Sequence, residues 1–144
     1  RVEIVRLNWK RAVVCIHVPT GEEKPYIALT EPDAERGTAL IRLRDESTTA
    51  SREVFQLLKY EGRERNMRVE YGDKEKMLMQ YLSEHSSITL KQYCAIASIS
   101  PKAASRTLVH LVKANVLRIE PGVEVDRYFQ VEGDSSSPKS MSRH

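Results

Sequence analysis

Residues 85–119 read HSSITLKQYCAIASISPKAASRTLVHLVKANVLRI, and this stretch decides the fold. It carries Lys91, Lys102, Arg106, Lys113 and Arg118 but no Asp or Glu, although acids are common on either side. The positive charge is therefore local, since a net charge of +3 over the whole chain argues nothing by itself. The pattern inside the stretch is helix, short turn, helix. Thr89 is placed to cap a short first helix, LKQYCAIA, with Leu90, Tyr93, Cys94 and Ala97 at three- and four-residue spacing. Residues 98–100 form the turn. Ser100 then reads as an N-cap and Pro101 as the first helical residue, where a missing N–H costs nothing. In the second helix Ala104, Leu108, Leu111 and Val112 make a buried stripe, which leaves Lys102, Ser105, Arg106, His110 and Lys113 largely outward.

This is a helix-turn-helix whose second helix shows small polar and cationic side chains at its start. A helix entering the major groove brings its first turns nearest the bases, where acids would repel the phosphates. Ala103 and Ser105 permit close approach, and Lys102 and Arg106 have the reach for a phosphate or a guanine edge. A basic, acid-free amphipathic helix is also what an ordinary solvated face looks like. The cap, the turn, the small inner Ala97 and the hairpin that follows favour nucleic acid.

After Asn115, residues 117–120 and 126–131 read as two short strands joined by a turn at residues 121–124. A helix over residues 74–85, capped by Asp73 and with Met77, Leu78, Tyr81 and Leu82 inward, precedes the helix-turn-helix. Three helices and a hairpin make a winged helix. Its wing carries Glu120, Glu124 and Asp126 against Arg127, a poor phosphate clamp. The expected DNA-contacting residues are Lys91, Pro101, Lys102, Ala103, Ser105, Arg106, His110, Lys113 and Arg127.

The first 60 residues have a different texture. Residues 1–7 (RVEIVRL) alternate with Val2 and Ile4 on the apolar side, and residues 12–18 (AVVCIHV) are rich in β-branched side chains, so the two suit a hairpin. His17 lies in the second strand and reads as structural. A short extended piece follows at 26–29, a polar loop at 30–38, a strand at 39–44 and a loop at 45–49. Ser51 can cap a helix from 52 to about 60, with Val54, Leu57 and Leu58 inward. Residues 62–72 are charged and read as a linker, in which Met67, Val69 and Tyr71 alternate as an edge strand would. The Ser-rich tail from Gly133 is expected to be disordered. The fold class is α+β: a small strand-rich N-terminal part (1–62), a linker (63–72), a winged helix-turn-helix (73–132) and a tail (133–144).

The succession VCIHVPTGEEKPYIAL and ALIRLRDESTTASREVFQL resembles the C-terminal half of a Schlafen/AlbA-type DNA-binding domain. The matching positions are Val18-Pro19, Pro25-Tyr26, Ile41-Arg42, Ser47 to Thr49, and Ala50-Ser51. The resemblance covers residues 1 to about 60, and with the winged helix after it implies a bacterial-type transcriptional regulator. It points to Arg42, and with it Arg44, as a nucleic-acid contact in this half; pairing of Arg42 with Glu46 or Glu53 is the plainer role. The family's N-terminal half is absent from the chain, and Arg44 or Asp45 stands where glycine is frequent.

No signal peptide opens the chain, which begins with Arg1 and is expected to be a piece of something longer. Cys15 and Cys94 lie in apolar segments and read as buried, reduced thiols in a cytoplasmic protein. Without a CxxC pair, a Ser/His/Asp set or a phosphate-cradling glycine loop, no metal, cofactor or catalytic residue is expected and the chain is not read as an enzyme. The expected partner is duplex DNA, with a homodimer left open and no membrane. The competing reading is a winged-helix protein-interaction module within a larger Schlafen/AlbA-type protein, which the acidic wing favours.

Overall fold

The computed structural model describes residues 1–19, 21–29, 31, 37–61 and 69–131. In chain order these form β1 (Val2–Asn8), β2 (Arg11–Ile16), β3 (Ile27–Ala28), β4 (Thr38–Leu43), β5 (Glu46–Thr49), α1 (Arg52–Leu58), α2 (Asp73–Glu84), α3 (Leu90–Ala97), α4 (Pro101–Lys113), β6 (Leu117–Glu120) and β7 (Arg127–Gln130). The fold is α+β, with a strand-rich N-terminal part followed by helices and a hairpin.

The helix starts follow from their caps. Thr89 accepts the Gln92 N–H, and the Gln92 side chain returns a bond to the Thr89 backbone, completing a capping box. Ser98 turns the chain with φ of 49°, and Ser100 Oγ accepts the Ala103 N–H at 3.3 Å to start α4. Pro101 takes the first helical position. At the start of α2 the cap is Gly72 rather than the expected Asp73, which is already helical; with no side chain on Gly72, it is Glu75 that reaches back, accepting the Gly72 N–H at 3.0 Å. Glu75 is therefore buried without being an orphan charge.

The core of the helical half is Leu78, Ile88, Tyr93, Ala104, Leu108, Leu111, Leu117 and Tyr128, each at most 1% exposed. It joins α2, α3, α4 and the wing hairpin β6–β7. Tyr128 on β7 exchanges backbone bonds of 2.8 and 2.9 Å with Ile88, so the segment before α3 is stitched onto the wing. Each fully buried Leu in such a core contributes about 1.5–3 kcal/mol. Burial, followed by the nearby Glu75 carboxylate, pushes the Tyr93 phenol up to about 12. Its hydroxyl donates to the Lys74 carbonyl at 3.1 Å.

Several expectations are corrected. Residues 46–49 form a strand, because Thr and Ser pair across to β4 (Ile41 with Thr48, Arg42 with Ser47), where their polarity alone reads as loop. Met77 is 49% exposed, and Met79 packs against the core instead. No strand forms at Val69 or Tyr71, while Met67 and the rest of 62–68 lie outside the described residues, as do most of the 30–38 loop and the tail. Packing also crosses the segment expected to be a linker, because α1 lies against α4.

Cys15 is not buried. The β1–β2 hairpin pairs Val2 with Ile16 and Ile4 with Val14 on one face, and Glu3 with Cys15 and Val5 with Val13 on the other. Every residue of both strands is exposed. Native-state thiol titration is expected to show Cys15 reacting quickly and Cys94, half-buried against the core, reacting slowly. Equal slow rates would mean that another layer covers the hairpin.

The alkaline limb of stability follows from the two buried tyrosines, Tyr93 and Tyr128, and Tyr93 has the lower folded value. Below pH 10 it is neutral whether folded or unfolded; between 10 and about 12 the unfolded chain ionises it and the fold does not. Stability contributed below pH 10 is thus expected to drain away as pH rises through about 12. Urea denaturation across that window, compared with Tyr93→Phe, measures it; identical profiles would dismiss the tyrosine's part.

Candidate functional site

In α4, Lys102, Arg106, His110 and Lys113 fall within an arc of about 80° and over a length of about 16 Å. Lys102 and Arg106 are exposed, and His110 and Lys113 are half-buried. The neighbouring positions are not outward, contrary to the expectation for Ser105. Ser105 is 9% and Val109 8% exposed, on the flank of α4 against which α1 packs. The outward face is therefore about half as wide as the sequence pattern implies.

Between α1 and α4 runs an open groove of about 290 Å³. Arg52 and Gln56 of α1, one helical turn apart, form one wall; Lys102, Arg106, His110 and Lys113 form the other, with Ser105 and Val109 between them. Among the described residues no carboxylate lines it. Lys113 sits at the far end with its Nζ 3.1 Å from the centre of the Tyr60 ring, a cation–π contact that partly engages its charge. Burial also holds Lys113 below the ordinary lysine range. Arg52, Lys102 and Arg106 pair with no carboxylate among the described residues. A groove with unpaired cations on both walls and no acid suits a polyanion.

The opposite flank of α4 is different. There Arg106, Thr107 and His110 border a second cleft with Glu70, Lys74 and Glu75. Arg106 and His110 are thus the ridge between a purely cationic groove and a mixed one.

The remaining candidates are dispersed. Lys91 is exposed on α3 and does not line the groove. Pro101 is exposed and Ala103 half-buried at the start of α4, beside Lys102. Arg127 is exposed on β7, opposite Glu120. Arg42 donates to Ser47 Oγ at 3.1 Å rather than pairing with Glu46 or Glu53. Arg44 takes a left-handed φ of 56°, the conformation that glycine favours. Arg42 and Arg44 share a cleft with Asp45, Glu46 and Glu120, three acids that offset them.

The sequence does not single out Arg52 and Gln56. Helical spacing puts them on one face of α1, but only the packing of α1 beside α4 brings them to the groove.

The acidic wing is largely consumed internally. Glu120 pairs with Arg118, whose guanidinium also stacks 4.6 Å from the Phe129 ring centre. Asp126 accepts the Gly122 N–H at 3.1 Å, and its other oxygen accepts the Ser51 hydroxyl. Gly122 is required there, since a Cβ would lie 2.2 Å from the Val125 carbonyl oxygen. Ser51 Oγ in turn accepts the Val54 N–H at 3.1 Å as the N-cap of α1. One carboxylate thus holds the wing turn and the start of the helix that carries Arg52. Beside it, burial first and then the Glu53 and Asp126 carboxylates raise the Tyr128 phenol above its ordinary range.

Ser51→Ala is expected to cost about 1 kcal/mol through loss of the cap. Asp126→Ala is expected to cost about 1.5–3 kcal/mol, as removal of a charged hydrogen-bond partner does. Because the two share a bond, the double variant should fall short of their sum by more than about 0.5 kcal/mol. Chemical denaturation of the four proteins gives the cycle; additive costs would break the link between wing and α1.

No helix among the described residues is long and apolar enough to cross a membrane. No protein-family model matches the chain, no curated protein matches it, and no solved structure does.

Proposed function

We propose that the chain is the DNA-binding part of a transcriptional regulator, contacting duplex DNA through α4. The observation that carries this reading is the stripe of Lys102 and Arg106 on a capped helix-turn-helix, opening on a groove that no described carboxylate lines. The N-terminal end of α4 adds positive potential where Lys102 stands, because the first helical N–H groups have no partner within the helix. The resemblance of residues 1 to about 60 to a Schlafen/AlbA-type domain points the same way. A protein-interaction module is the second reading, and the apolar faces of the β1–β2 hairpin favour it: Ile4, Val14 and Ile16 are 59–71% exposed.

Replacing Lys102 and Arg106 together by Ala is expected to leave the fold intact, since exposed helix positions accept Ala. Binding to duplex DNA should weaken, and the slope of log K against log salt should flatten by ~0.9 for each phosphate that is no longer neutralised. Polarisation titrations at several salt concentrations, with thermal melts as the folding control, measure both. Unchanged affinity and slope in a folded double variant would hand the site to the protein-interaction reading.

A further inference from the structure

Resting on that reading, we propose that α1 is the second wall of the nucleic-acid site. Arg52 joins Lys102 and Arg106 in holding a phosphodiester backbone in the α1–α4 groove, and α1 keeps α4 from reading base edges.

Size is the first reason. A helix with its side chains is about 10–12 Å across, and the major groove of B-DNA is about 12 Å wide, so one helix fills it. Two helices packed side by side at about 8–10 Å between axes measure about 18–22 Å across. Since α1 packs against α4 and Ser105 and Val109 are buried on that flank, α4 does not protrude as a lone cylinder. Ser105, which would face base edges on a free recognition helix, is buried on the flank that borders α1.

Charge is the second. Of the two clefts flanking the Arg106–His110 ridge, the one toward α2 is mixed, with Glu70 and with Glu75 3.6 Å from Lys74; the one toward α1 contains no acid among the described residues. A backbone lying against the ridge is therefore drawn to the α1 side, where Arg52 meets it from the opposite wall. The Lys102 and Arg106 side chains are about 6 Å apart along the helix, a step suited to successive phosphates of one strand. Arg52 is exposed at the first position of α1, and the Ser51–Asp126 bond holds the helix start that presents it. Affinity from such contacts depends on salt and not on base sequence.

The test uses fluorescence polarisation of the full chain with labelled random duplexes, one fixed duplex and a single-stranded oligonucleotide across a salt series. Arg52→Ala is expected to weaken all of them alike and to flatten the salt slope by ~0.9 on duplex, or ~0.7 on single strands. Gln56→Glu, which puts an acid into the groove while keeping a good helix former, is expected to weaken binding without altering thermal unfolding. Unrelated duplexes should compete equally. Salt-dependent binding that ignores both substitutions would remove α1 from the site, and a preference of about 10³-fold for one duplex would show that α4 reads bases after all. Equal displacement by polyglutamate at matched charge would assign the groove to an acidic protein segment instead. If wild type shows no salt-dependent binding to any nucleic acid, the proposed function itself fails; failure confined to the Arg52 effect leaves that function standing.

Discussion

The packing of α1 against one flank of α4 is the constraint on which the candidate site depends. A short helix of seven residues has little stability alone, because nucleating a helical turn orders several residues for a single bond. It persists here through tertiary partners. Ser51 caps it while donating to Asp126, Val54 and Glu53 are buried, and Tyr60 just beyond its end meets Lys113. Asp126 belongs to the wing and is itself positioned by the Gly122 turn. The wing, the helix cap and the cationic groove are therefore mechanically one unit, although Ser51 and Asp126 lie 75 residues apart in the chain.

That unit sorts the charges of the protein into two populations. Three carboxylates around the helical half have internal work: Glu75 closes the start of α2, Glu120 pairs with Arg118, and Asp126 ties wing to α1. Arg52, Lys102 and Arg106 have no such work among the described residues and are exposed. Exposed cations cost little when hydrated, and on the groove side no described carboxylate weakens their attraction for a polyanion. The division explains how a chain with nearly balanced composition, 23 basic against 20 acidic residues, lines one groove with cations and, among the described residues, no acid.

The N-terminal hairpin follows another logic. A strand that faces water on one side should alternate apolar with polar, and residues 1–7 look as if they do. The register shows otherwise: Val5 and Val13 form an apolar pair on the face opposite to Ile4 and Val14. Strands apolar on both faces are the kind that lie between two covering layers. The exposure of Cys15 has the same origin, since its apolar neighbours provide no burial without such a layer.

Local chemistry makes the helical half legible from sequence alone. Thr89 and Ser100 announce helix starts because their hydroxyls replace missing acceptors, Pro101 suits the first turn, and the spacing of Ala104, Leu108 and Leu111 marks the buried stripe. The strand at 46–49 is hidden because polar Ser and Thr become strand only when a neighbour supplies the ladder. The candidate site divides the same way. Lys102 and Arg106 are visible as cations four apart on a capped helix. Arg52, the burial of Ser105 and the internal use of Asp126 are not, because each depends on a contact between segments distant in sequence. Periodicity states which face of a helix is apolar; it does not state which second helix will lie along the polar face, and that contact only the tertiary structure decides.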